Sequence, residues 1–258
     1  MSMEHSHSLC LLEGNSSFPA LYDMINQYLS DGYAVVYSVE SDPGDVVLQM
    51  RNLGMAAENF VQKGALRLLD KNFFLLPESN APHNQPLNSL QLVAAELTEF
   101  KWILWVGSND RFLEINQRDI LLEYEKALSL PGLSLEIVCC YDAESVRDLC
   151  LEYLVKILNL HQYTLHHHHS QFVYREWHPK KLLDLLTKSM NKAIGQESSE
   201  RLLNILKTLY KIDEHAPFQF QNFENPIREL LGNSANVILN SLAKEIKREI
   251  SFSQSSQY

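Results

Sequence analysis

Along its first 158 residues the sequence switches repeatedly between two hydrophobic periodicities, and that alternation limits the fold more than any single motif. The run Ala34-Val35-Val36-Tyr37-Ser38-Val39 is largely apolar and rich in valine, as expected for a strand covered on both faces. Shorter runs of the same kind stand at 8–12, 66–69, 102–106 and 135–141. The segments between them carry apolar residues at helical spacing, for example Phe18, Leu21, Tyr22, Ile25 and Leu29. A second helix starts at Asp42-Pro43, and further ones are expected over 87–99, 118–130 and 142–158. Residues 77–86 hold three prolines and read as a polar loop. About five strand–helix repeats predict an α/β fold, a mostly parallel sheet with helices on both faces.

From residue 170 onward the pattern becomes helical. Helices are expected over 180–194 and 199–212, separated at Gly195, and from the Asn225-Pro226 start onward, with a break at Gly232-Asn233. The charge changes at the same place. Residues 1–169 hold 10 basic and 22 acidic side chains, whereas residues 170–258 hold 12 basic and 10 acidic. This places an α/β domain at 5–169, a helical transmission or dimerisation domain at 170–250, and a polar tail at 251–258. A net charge of −10 disfavours nucleic-acid binding through the whole surface. No apolar stretch reaches the roughly 18 residues of a membrane span, and the first ten residues lack a signal-peptide pattern, so a cytoplasmic protein is expected. The four cysteines have no CxxC spacing and read as buried reduced thiols.

Ligands of open parallel sheets collect at the carboxyl ends of the strands. In a nucleoside triphosphatase the first such loop would read GxxxxGK[ST]. Here it reads Leu12-Glu13-Gly14-Asn15-Ser16-Ser17-Phe18-Pro19, with one glycine, no lysine and an acid that repels phosphate. GxGxxG, GxSxG and HExxH are absent too, so no enzyme activity and no cofactor are expected. The run His166–His169, with His161 and His178 nearby, suggests metal, but adjacent strand residues face opposite ways and no fixed-spaced acid or thiol accompanies them. A pH-sensitive strand or loop is the plainer reading, and no metal residues are assigned. The lysines 180, 181, 188, 192, 207 and 211 are interrupted by acids and read as a solvated face.

Three strand segments, His7-Ser8-Leu9-Cys10-Leu11-Leu12, Gly32-Tyr33-Ala34-Val35-Val36-Tyr37 and Gly64-Ala65-Leu66-Arg67-Leu68-Leu69, resemble the MEDS domain of methanogen and methylotroph regulators of the DcmR type. Glu123-Tyr124-Glu125-Lys126-Ala127-Leu128 and Val138-Cys139-Cys140-Tyr141-Asp142 resemble its later part, and Leu160-His161 its closing strand. The resemblance spans about residues 5–165. It implies a RecA- and KaiC-like fold without the phosphate loop, and a sensor of small molecules in signalling. The ligand-binding candidates are His7, Cys10, Glu123, Cys140, Tyr141, Asp142 and His161. The chain has Leu12 where the family often has an aromatic residue, and it shows no recognisable DNA-binding module. Direct DNA binding is therefore not expected. The expected partners are an unidentified small molecule, a second copy through the C-terminal helices, and a regulator that reaches transcription. A scaffold on a degenerate ATPase fold and a metal-assisted enzyme are the alternatives.

Overall fold

The structure, a computed structural model, describes residues 6–70, 92–108, 110, 113, 118–128, 135–168, 171–177, 179–212 and 220–250. The strands are β1 (Ser6–Leu12), β2 (Ala34–Ser38), β3 (Leu66–Leu69), β4 (Ile103–Ser108), β5 (Leu135–Asp142), β6 (Tyr163–His168) and β7 (Gln171–Glu176). They form one sheet in the order β3-β2-β4-β5-β1-β6-β7. The pairs β1–β5, β1–β6, β2–β3, β2–β4 and β4–β5 are all parallel. The expected α/β class is therefore the class observed, and a helical region follows the sheet.

The first helices are α1 (Phe18–Ser30), α2 (Pro43–Asn52) and α3 (Ala57–Gln62). Local chemistry sets their ends. Pro43 opens α2, and the Asp42 carboxylate accepts a 2.8 Å hydrogen bond from the Gly44 N–H, a cap that stabilises by about 1 kcal/mol. Gly32, at φ +87°, turns the chain out of α1 towards β2 in a conformation that other residues adopt at a cost.

Residues in register on parallel strands share a face. Val35, Tyr37, Leu104, Val106, Val138, Cys140, Cys10 and Leu12 point to one side, where they pack with Leu21, Ile25 and Leu29 of α1 and with Val46 and Met50 of α2. Fully burying one such side chain contributes about 1.5–3 kcal/mol. His7, Leu9, Ile137, Cys139 and Tyr141 point to the other side. Two further helices follow in the chain: α4 (Arg118–Leu128), and α5 (Ala143–Arg147) directly after β5.

Contacts divide the chain into two compact units. The first is Met1–Ser145 with Tyr163–Arg175, and the second is Val146–Gln162 with Glu176–Tyr258. The second unit contains α6 (Leu151–Asn159), α7 (Pro179–Ile194), α8 (Gln196–Leu209), α9 (Phe220–Leu231) and α10 (Ala235–Ile250). Helix α7 packs on α8 and α10, and α9 packs on α10 and α6. Glu245 of α10 is 5% exposed and is held by three cations. Lys188 lies at 2.9 Å, Arg248 at 2.6 Å, and Lys192 is also bonded to it. These cations hold the Glu245 carboxyl at about 2, well below its ordinary value, and the Lys192 hydrogen bond is the largest cause.

Several expectations from the sequence change. The helix expected over 142–158 is two helices, because Cys150 is extended (φ −64°, ψ 154°) and interrupts the turn series. Cys150 is also exposed, unlike the other three cysteines. The all-helical expectation after 170 fails at β7, whose Phe172, Val173 and Tyr174 are strand-forming residues. Pro226 lies inside α9 instead of opening it. Phe223 and Ile227 are both fully buried at i and i+4, and that apolar face extends the helix back across the proline. His161 lies between α6 and β6, two residues before the strand in which it was expected. The loop at 77–86 and the tail at 251–258 lie outside the described residues. No helix among the described residues is long and apolar enough to cross a membrane.

Candidate functional site

The carboxyl ends of β1, β2, β4 and β5 open into a crevice of about 700 Å³. Leu12, Tyr37, Ser108 and Cys140 come from the strands, Phe18, Pro19 and Tyr22 from α1, and Val46 and Gln49 from α2. Glu40, Ser41 and Asp110 complete its polar edge. The volume falls in the range of small-molecule pockets, and the lining has the usual composition, apolar and aromatic with a few polar groups. Among the described residues the lining contains neither lysine nor arginine.

Several of the lining's polar side chains have defined partners or protonation states. The Tyr22 hydroxyl donates to Gln49 Oε1 at 3.0 Å, tying α1 to α2. Burial raises the Tyr22 hydroxyl above its ordinary value. It raises Tyr37 further, with additional contributions from Cys140, Tyr22, Cys10 and Glu40. Both phenols are therefore neutral donors at pH 7. Cys140 is also pushed well up, first by its hydrogen bond with Cys10 and then by burial. It remains a thiol and a poor nucleophile at neutral pH. Asp110 Oδ1 accepts from the Asp142 N–H at 2.5 Å, which fixes a carboxylate at the mouth.

The loop before α1 is closed on itself by side-chain hydrogen bonds. Residues Gly14–Ser17 form a 3-10 turn closed by Ser17 Oγ, which accepts from the Glu13 N–H at 2.8 Å, and by Ser16 Oγ, which donates to the Glu13 carbonyl at 2.7 Å. Pro19 removes one of the N–H groups that a helix start would offer an anion.

A second polar group lies on the other side of the same strands. His7 Nε2 is 3.2 Å from Cys139 Sγ and 3.0 Å from Glu125 Oε2. The Cys139 thiol reaches the same carboxylate oxygen at 3.3 Å, and the Tyr141 hydroxyl donates to Glu125 Oε1. None of the four residues is more than 1% exposed. β1 positions His7, alternate residues of β5 position Cys139 and Tyr141, and α4 brings Glu125 to them.

The sequence candidates therefore separate. Cys140 lines the crevice, and Cys10 lies beside it in register. His7 and Tyr141 meet at Glu125 on the opposite face. Glu123 is exposed and pairs with Lys126 at 2.6 Å. Asp142 caps α5, accepting from the Ser145 N–H at 2.8 Å. His161 is a buried residue of the second unit, its Nδ1 2.8 Å from the Ile157 carbonyl oxygen. Residues 166–168 are the end of β6, and His169 and His178 lie outside the described residues. The sequence reading missed Glu125. Its signal was available: Leu121, Glu125 and Leu128 stand at i, i+4 and i+7, so a carboxylate occupies an apolar stripe.

Residues 7–162 match the family described as MEDS, the methanogen/methylotroph, DcmR sensory domain. The chain belongs to the MEDS family. The MEDS match includes all of β1 to β5 except Ser6, and it contains both the crevice and the buried polar group. No curated protein matches this chain. Among solved structures it is similar to a KaiC-like protein of Pyrococcus horikoshii, at 13% identity and a TM-score of 0.48, covering 67% of this chain and 80% of that one. It is also similar to the flagellar accessory protein FlaH of Methanocaldococcus jannaschii, at 14% identity and a TM-score of 0.41, covering 63% and 71%.

Proposed function

We propose that this MEDS chain is a non-catalytic sensor whose crevice takes a small organic molecule that is neutral or cationic. The lining carries the reading. A space of about 700 Å³ is walled by Phe18, Tyr22 and Tyr37, and the charged groups among its described lining residues, Glu40 and Asp110, are acids. Aromatic walls supply apolar contact and hold cations over their faces. The acids attract positive charge and repel phosphate. The neutral phenols and the protonated Cys140 thiol donate hydrogen bonds without supplying a nucleophile.

The signal would leave as a shift between two arrangements of the chain, which requires the ligand to bind one more tightly than the other. The C-terminal helices carry it to a second copy or to a regulator that acts on transcription. The exposed Leu209 and Val237, at 69% and 59%, supply apolar surface for that output.

A thermal-shift screen against nucleotides, amines and small neutral metabolites tests the reading. A ligand at one hundred times its Kd adds about 2.7 kcal/mol to stability. The expected result is a shift with amines or neutral compounds and none with ATP-Mg. A shift with ATP-Mg, or silence across the panel, would contradict it.

A further inference from the structure

We propose that His7, Glu125 and Cys139 form a binding site for a divalent transition metal ion of the zinc class. The proposal is independent of the crevice. The three residues each offer one ligand atom, and these atoms lie within 4.8 Å of one another. Nε2, Oε2 and Sγ make a triangle with edges of 3.0, 3.2 and 3.3 Å. Tetrahedral zinc, with bonds of about 2.0–2.3 Å, separates such ligand atoms by about 3.3–3.6 Å. A few tenths of an ångström of outward movement therefore admits the ion. Hydrogen bonds from Nε2 and from the Cys139 thiol to Oε2 can account for two of the triangle's edges, which leaves the 3.2 Å Nε2–Sγ edge as a close contact. Nε2 carries at most one proton and can donate or accept in the ring plane only once, so protons can serve no more than two of the three edges. A common centre would engage all three edges at once.

The donor set selects the ion. Thiolate and imidazole favour zinc, cobalt or iron over magnesium and calcium, which prefer oxygen ligands. The charges also balance: one thiolate, one carboxylate and a neutral imidazole carry −2, which a divalent ion neutralises. Without the ion, burial favours a cluster of zero net charge, because an unpaired charge there is costly. It can reach that state as imidazolium, carboxylate and thiol, or as three neutral groups. In either case binding releases two protons, one of them from Cys139, and leaves the site neutral. The Tyr141 hydroxyl, bonded to Glu125 Oε1, leaves Oε2 for the metal and orients the carboxylate, as outer partners of metal ligands do.

The test uses the full chain in a Cys150→Ser background, because Cys150 is the exposed thiol. Each protein is loaded with Co²⁺, dialysed, and measured for metal content and near-ultraviolet absorption. The parent should hold about one equivalent, with a thiolate-to-cobalt band. Cys139→Ser should lose the band and the tightly held equivalent. Glu125→Gln, which keeps an oxygen to accept from Tyr141, should weaken binding at least tenfold. Circular dichroism confirms that each variant is folded, and Glu125→Gln decides if Cys139→Ser is not. Zn²⁺ titrated into the apo parent in buffers of different ionisation heat should release two protons per ion. Cobalt without a thiolate band in the parent, or a band that survives in folded Cys139→Ser, would overturn the site.

Discussion

Strand β5 presents two different chemistries on its two faces. Cys139 and Tyr141 point towards Glu125 and His7, where four buried side chains use one another as partners. Cys140, between them, points towards the crevice with Ser108 and Tyr37. Strand alternation places neighbours in sequence on opposite faces, so one short segment serves both sites. The first face is closed and arranged around a carboxylate. The second is open, aromatic and acid-edged. Burial of polar groups therefore marks one kind of site here, and space marks the other.

The largest effect is expected where closure is complete. Glu125→Ala removes the common partner of His7, Cys139 and Tyr141, and should cost about 3–5 kcal/mol in urea unfolding of the apo protein. A loss below about 1 kcal/mol would show that the buried group is not tightly arranged. Glu245→Gln sharpens the contrast, because that buried carboxylate is surrounded by cations. The half-exposed lysines are screened, so the loss at pH 7 should be only about 1 kcal/mol. The folded pKa of Glu245 is lowered to about 2, so its contribution is complete above the ordinary carboxylate value. The contribution fades as pH falls from about 4.5 towards 2, and the variant and parent should converge there. Stability curves that stay parallel over that range would refute the assignment.

On the open face, Ser108→Phe should change stability by less than about 1 kcal/mol, because the added ring enters existing space. It should nevertheless remove any ligand-induced thermal shift. The smallest effect is expected two residues from the largest. Glu123→Ala, at the exposed Lys126 pair, should change stability by no more than about 0.5 kcal/mol. A large loss there would break the distinction between the two glutamates.

That pair also shows what the sequence could and could not specify. The alternation of Val- and Leu-rich runs with 3.6-residue stretches was sufficient for the parallel sheet, and α1 and β3 have the expected bounds. Of the seven ligand candidates read from the sequence, Cys140 alone lines the crevice among the described residues. Glu123 and Glu125 sit about 200° apart around α4, and Glu125 falls inside the arc of Leu121, Leu122, Tyr124 and Leu128, so its inward direction was legible although its partners were not. The meeting of His7 with Cys139, 132 positions apart, depends on β1 lying beside β5, which no local pattern encodes. Pro226 misled for a related reason: the buried Phe223–Ile227 contact face outweighs a local helix-start signal.

The most direct test of the sensor account is the thermal shift of the best amine or neutral compound, measured on parent, Ser108→Phe and Glu125→Gln proteins together. The account predicts that the shift persists in Glu125→Gln and disappears in Ser108→Phe, with ATP-Mg silent throughout. A shift retained in Ser108→Phe would place the ligand outside the crevice and contradict the account.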